Sequence, residues 1–221
     1  LVGVKSEALT NFSNILATEM NAFAASAMLH SGIEESYLKN TAHALAQKGV
    51  QCLTSKKPSA NNNCAVLTTV DAATFLSNPD LAEEVFGPYS ILIQCENVEE
   101  LKKVWKNLKG QISTTIMGTD KDIDAATDLL NMSLSIAGRI VINGVPTGVE
   151  VCDSMVHGGP YPASTDSRFT AVGVQAAKRW LRPISFQNWP VHLLPAALQN
   201  HNPLGIWRNI NGALSKNEIN A

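Results

Sequence analysis

Several features are scarce in this 221-residue sequence: charge, like-charge blocks, closely spaced cysteines and long apolar runs. Charged residues make up only 16%, and 17 basic against 19 acidic side chains leave a formal net charge of −2. No block of like charge stands out, so the phosphate neutralisation that a nucleic-acid partner demands has no footprint here. No apolar run reaches the roughly 18 residues of a membrane-spanning helix, so no membrane partner is expected. The four cysteines (Cys52, Cys64, Cys95, Cys152) are far apart and form no CxxC pair. That spacing argues against a zinc site and for reduced thiols in a cytoplasmic protein. His30 and His43 lack metal partners at helical spacing and read as ordinary structural or surface histidines. The sequence also lacks GxGxxG, Walker A, HExxH and GxSxG segments, which removes the usual phosphate cradles, helical zinc pairs and nucleophile elbows. No initiator methionine is present, and Leu1-Val2-Gly3-Val4-Lys5 lacks the apolar centre of a signal peptide, so the chain reads as a piece of something longer.

What is present is apolar material, 45% of residues, enough to bury a sizeable core. The period of Leu9, Phe12, Leu16, Met20 and Phe23 predicts a helix over 6–29. A second helix is expected from Ile33 to a stop at Gly49. Ser55 to Asn63 has turn chemistry throughout, and Ala65–Val70 reads as a strand. Then a regular alternation begins. Ser90–Cys95 is a strand, and Asn97 with Glu100 opens a helix to about Leu108 in the manner of a capping box. Gln111–Met117 is the next strand, Asp120 caps a helix over 121–136, Gly138 ends it, and Arg139–Ile142 is a third strand. Short connections between alternating strands and helices predict an α/β fold, a parallel-sheet core with right-handed βαβ crossovers. A Gly/Pro/Ser/Thr-rich loop follows from Asn143 to about Phe169, long enough to suggest a functional role. A helix near 171–181, a short strand at Pro183–Phe186 and a Pro- and Asn-rich tail complete the chain.

The segment Glu83-Glu84-Val85-Phe86-Gly87-Pro88 draws attention because Pro88 pushes Gly87 out of helical geometry. As bare chemistry it is a structural turn at a strand entry, with a carboxylate and an aromatic ring beside it.

Glu84-Val85-Phe86-Gly87-Pro88 resembles the E-[IV]-F-G-P motif of the aldehyde dehydrogenase superfamily. The order of helices and strands around it is similar to that family's catalytic domain. The resemblance implies that Glu84 holds the ribose hydroxyls on the nicotinamide side of NAD or NADP, and that Phe86 packs beside the nicotinamide ring. A carboxylate suits the first task, since it can accept from two vicinal hydroxyls. Gly138-Arg139-Ile140-Val141-Ile142-Asn143-Gly144 resembles the family's strand into the substrate-side loop. Beyond it, Val145–Val151 and Met155–Pro160 are similar to the α-ketoglutarate semialdehyde subfamily, as are Asp166-Ser167-Arg168, Leu181-Arg182-Pro183 and Asn202–Trp207.

The resemblance places Pro146, Thr147, Val149, Val151 and His157 around a small aldehyde substrate. His157 stands where the wider family has phenylalanine; it either donates to a polar substrate or fills that ring's space. Arg168 is either a carboxylate-recognising group or a surface or interface arginine. In the family a cysteine thiolate attacks the aldehyde and a glutamate is the general base. The family's Gly-Gln-x-Cys segment is absent, so no catalytic residue is expected in this chain, and nucleophile, base and most of the dinucleotide domain are expected upstream. Cys152, beside Asp153 and His157, is a poor substitute because the carboxylate opposes thiolate formation. The expected domains are a catalytic portion over 1–181 and an oligomerisation strand with its tail over 182–221. That strand implies a homo-oligomeric parent, and the isolated chain is expected to be inactive. The competing reading is a non-catalytic assembly module on the same fold; a sibling dehydrogenase for another aldehyde differs only in the 145–169 loop.

Overall fold

A computed structural model describes residues 1–220. The chain divides into two compact units, Leu1–Ala176 and the part from Ala177 onward, where the sequence expectation drew the line after residue 181. In the first unit the order is β1 (Val2–Val4), α1 (Glu7–Ala22), α2 (Ser31–Leu45), β2 (Gln51–Cys52), β3 (Val66–Asp71), α3 (Ala72–Ser77), β4 (Tyr89–Cys95), α4 (Val98–Asn107), β5 (Gln111–Ile116), α5 (Asp120–Ala125), α6 (Thr127–Ile136) and β6 (Ala137–Ile142). Among the described residues, no helix is long and apolar enough to cross a membrane.

The sheets are mixed but mostly parallel. One has the order β1-β4-β3-β2, with β4 parallel to both β1 and β3 and only β2 antiparallel. The other pairs β5 with β6 in parallel, Ser113 opposite Arg139. The α/β class therefore stands, but the three strands expected in one continuous sheet are split between two. Helix α4, read as a crossover over one sheet, packs against β1, β4 and α6. The core of the four-stranded sheet is built from Val70, Ala72, Phe75, Leu81, Ile93, Cys95 and Val104. Residues 66–70 of β3 are buried without alternation, as a strand covered on both faces requires.

Local chemistry sets most boundaries. The Ser6 hydroxyl accepts from the Leu9 amide and starts α1. Asn97 accepts from the Glu100 amide at 3.0 Å, while the Glu100 carboxylate accepts from the Glu96 amide at 2.6 Å, one residue before the position a standard capping box uses. The helix expected over 121–136 is two helices broken at Ala126. Its cap is not Asp120 but Thr119, which exchanges hydrogen bonds with Asp122. Helix α1 stops at Ala22 rather than 29, because the chain turns extended at Phe23 and pairs Ser26 with Asn63. The helix expected over 171–181 is a 3-10 turn, Val174–Trp180, with no buried residue to lock it into a wider helix.

In the second unit a short antiparallel pair, β7 (Arg208–Ile210) and β8 (Ala213–Ser215), is tied together by polar groups. The Asn202 amide donates to the carbonyls of Ile206 and Lys216, and Arg208 donates to those of Gln199, Asn200 and Asn217. Residues 182–187, expected as a strand, have no backbone partner among the described residues, and a strand exists by its pairing.

Two fully buried acids make the first unit sensitive to alkali. Burial pushes the Tyr37 phenol up to about 12 from 10.0 and the Cys95 thiol up to about 11 from 9.0. The folded chain thus holds both protons after the unfolded chain has released them. Their contribution is complete below pH 9, falls between 9 and 11 through Cys95, and falls between 10 and 12 through Tyr37. Urea midpoints measured from pH 8 to 11.5 are expected to decline across that window, and Tyr37→Phe should flatten its upper part. A midpoint constant with pH would contradict this.

Candidate functional site

The turn at 83–88 is built from below by Tyr37. A short 3-10 helix, Pro79–Ala82, ends at Glu83 in extended backbone, and the chain runs without secondary structure through Phe86. Gly87 then takes φ +151, where a Cβ would lie 2.4 Å from Cδ2 of Tyr37. Tyr37 is fully buried on α2, and its hydroxyl donates to the Cys64 carbonyl at 2.7 Å. The Pro88 carbonyl accepts from the Val66 amide at 2.8 Å, which ties the turn to the start of β3. The turn is thus held by its glycine and proline, while Glu84 and Phe86 are free of any such duty. Phe86 is 59% exposed, and the Glu84 carboxylate is exposed with no hydrogen-bond partner among the described residues. An unengaged carboxylate beside an uncovered ring can hold a diol and offer an apolar face to a planar group.

The second region begins where β6 ends. Asn143, at φ +50, clips the ends of the two parallel strands together: its side-chain amide donates to the Gly118 carbonyl, and its oxygen accepts from the Gly118 amide, both at 2.9 Å. The loop after it is gripped twice more by β6. Arg139 donates from Nη1 to the Gly148 carbonyl at 3.1 Å and from Nη2 to the Pro146 carbonyl. Further on, Gly158 and Gly159 lie on the strand backbones; a Cβ on Gly138 would stand 2.2 Å from the Gly158 carbonyl oxygen. Gly138 is therefore not a helix stop but a strand residue kept bare for the returning loop. Such open ends of parallel strands are where α/β folds place ligands.

Between these anchors the loop faces outward. Pro146, Thr147, Val149 and Val151 are exposed, Val151 at 74%. His157 is half-buried, its amide donating to the Thr170 hydroxyl at 2.8 Å and its carbonyl accepting from Ala171. No hydrogen bond or ion pair between described residues joins Glu84 or Phe86 to the 146–157 segment. Arg168 is turned onto its own neighbour: Nε and Nη2 donate to the two carboxylate oxygens of Asp166 at 2.9 and 2.6 Å, and the guanidinium also lies over the Phe169 ring. Arg168 is exposed and Asp166 half-buried, and the carboxylate raises the guanidinium further above its usual range. Cys152 is half-buried, with Ser154 as its polar neighbour. His43 bonds to Asp80 and Gln47, a surface arrangement. Among the described residues no group of three or more His, Cys, Asp or Glu is placed to hold a metal ion.

Sequence reasoning overlooked Arg139, Tyr37 and the double clip of Asn143. Only Asn143 carried a local signal, an asparagine followed by glycine at a strand end, where left-handed backbone is common.

Compared with known proteins, the chain is 40% identical over 220 residues to the alpha-ketoglutaric semialdehyde dehydrogenase of Acinetobacter baylyi, covering 98% of this chain but 42% of that protein. The chain therefore spans about two fifths of that relative's length. No protein-family model matches. In structure it is similar to the Delta-pyrroline-5-carboxylate dehydrogenase from Mycobacterium tuberculosis, with a TM-score of 0.64 and 13% identity over 87% of this chain and 38% of the other. It is also similar to the succinic semialdehyde dehydrogenase from Streptococcus pyogenes in complex with NADP+, with a TM-score of 0.57 and 14% identity over 72% and 35% of the respective chains.

Proposed function

Because this chain belongs to the aldehyde dehydrogenase superfamily, we propose that it is the C-terminal part of an NAD- or NADP-dependent enzyme that oxidises a small acidic aldehyde, α-ketoglutarate semialdehyde, to α-ketoglutarate. The observation that carries this reading is the relative's 40% identity along 98% of the chain. The uncommitted carboxylate of Glu84 and the uncovered ring of Phe86 add chemical support. When bound, the dinucleotide would supply the hydride acceptor for the oxidation.

In that enzyme the residues of this chain bind and orient. Glu84 accepts from the two ribose hydroxyls next to the nicotinamide, and Phe86 supplies an apolar face beside the ring. Pro146, Thr147, Val149, Val151 and His157 line the aldehyde's side. Arg168 reaches a substrate carboxylate only by giving up Asp166. The thiolate that attacks the aldehyde carbon and the glutamate that activates water come from the segment preceding this one. Residues 182–187 pair with a neighbouring subunit in a homo-oligomer. Their lack of a backbone partner among the described residues and the exposure of Ile184 at 62% support this. A cytoplasmic location belongs to the same proposal, with four free cysteines in its favour.

The test is turnover. The natural full-length protein, given the semialdehyde with NAD+ or NADP+, is expected to raise absorbance at the reduced-cofactor band, and residues 1–221 alone are expected to leave it flat. Turnover by the short chain would contradict the placement of the chemistry upstream. A full-length protein inert toward every aldehyde would favour a non-catalytic assembly module.

A further inference from the structure

We propose that Arg139 is a positioning residue for the substrate side of the site: through the carbonyls of Pro146 and Gly148 it sets the orientation of Thr147. The proposal deepens the dehydrogenase reading and rests on it. Arg139 lies in the middle of β6, opposite Ser113 of β5, on a strand whose backbone is fixed by ladder hydrogen bonds. Its side chain is half-buried, and Nε is sealed from solvent without a partner. Only Nη1 and Nη2 reach outward, and both are spent on one loop, at Gly148 and Pro146.

The two accepting carbonyls flank Thr147 at i−1 and i+1. Fixing both leaves the intervening residue little freedom, so the Thr147 side chain is presented in one direction. Neither carbonyl needs the arginine for burial, because residues 145–151 are exposed and water would serve them. What the guanidinium adds is geometry: a planar fork holds two acceptors at once, which a lysine ammonium cannot reproduce in the same rigid way. Alternation along a strand also puts Arg139 and Gly138 on opposite faces of β6. One strand thus grips the start of the loop with a long side chain and its return with a missing one. Asn143 closes the near end against Gly118. Thr147 and the exposed Val149 and Val151 then sit on a span held at both ends, a rigid support for groups that must meet a small substrate.

The experiment compares wild type, Arg139→Met and Arg139→Lys in the natural full-length protein. Thermolysin cleavage within 145–151 is expected to quicken at least severalfold in Arg139→Met and less in Arg139→Lys, since cleavage needs a loop free to leave its anchors, while the urea midpoint of the first unit is nearly unchanged. Loss of two hydrogen bonds from a charged donor is expected to raise KM for the aldehyde roughly tenfold, with kcat and the dinucleotide KM within about twofold. Cleavage within 145–151 that ignores the substitution overturns the proposal whatever the enzyme does. Faster cleavage with an unchanged aldehyde KM, or a fall in kcat alone, overturns the positioning role. A wild-type protein without dehydrogenase activity overturns the functional reading instead, and the cleavage measurement still decides whether the grip exists.

Discussion

Replacing Gly87 with alanine is expected to lower the unfolding free energy of the first unit by about 3 kcal/mol or more, the combined scale of backbone strain and overpacking. Two effects add. At φ +151 an L-residue is strained whatever the space around it, and here there is none: the new methyl would meet Cδ2, Cε2 and Cγ of Tyr37 at 2.4, 2.9 and 3.0 Å. The ring cannot retreat, because it is fully buried and its hydroxyl is bonded to the Cys64 carbonyl. The backbone must move instead, carrying Phe86 and Pro88 with it. Gly148 is the control, since it has φ +78 but nothing within 4 Å of its Cβ position. Gly148→Ala should cost only the strain, about 1 kcal/mol. Urea denaturation of the two variants separates them, and equal midpoints would mean that Tyr37 does not clamp the turn. A loss of this size consumes a large share of the 5–15 kcal/mol typical of a domain.

How much of this was legible beforehand depended on the range of the causes. β4 and the start of α4 were readable because Gly87-Pro88, a short apolar run and Asn97 lie next to one another and act locally. The end of α1 was not readable. No glycine or proline intervenes before Gly32, and the helix stops because Ser26 pairs with Asn63, 37 residues away. The division into two sheets was hidden for the same reason, since helix and strand signals do not say which strands pair. Gly138 was misread as a helix stop because its partner, the Gly158 carbonyl, arrives only when the loop returns. Arg139 looks like any strand residue until Pro146 and Gly148 are seen beneath its fork. At the candidate site the outward groups Glu84 and Phe86 came from a motif. The support that frees them, Tyr37, sits 50 positions before Gly87 and was legible only as one apolar residue of a helix.

Glu84 carries the opposite expectation from Gly87: almost no effect on stability and a large one on function. Its carboxylate is exposed and has no partner among the described residues, so Glu84→Ala should leave the unfolding free energy within about 0.5 kcal/mol of wild type and the urea midpoint essentially unmoved. If the same carboxylate accepts from two ribose hydroxyls, removing it forfeits two charge-assisted hydrogen bonds. That is worth on the order of a hundredfold in kcat/KM for the dinucleotide. The aldehyde KM should change far less, because no hydrogen bond or ion pair joins Glu84 to the 146–157 segment. The decisive measurement is therefore kcat/KM for NAD+ and NADP+ in full-length Glu84→Ala, read beside its unfolding midpoint. A fall of about two orders of magnitude with an unmoved midpoint is the result predicted here, and an unchanged kcat/KM for both dinucleotides would contradict it.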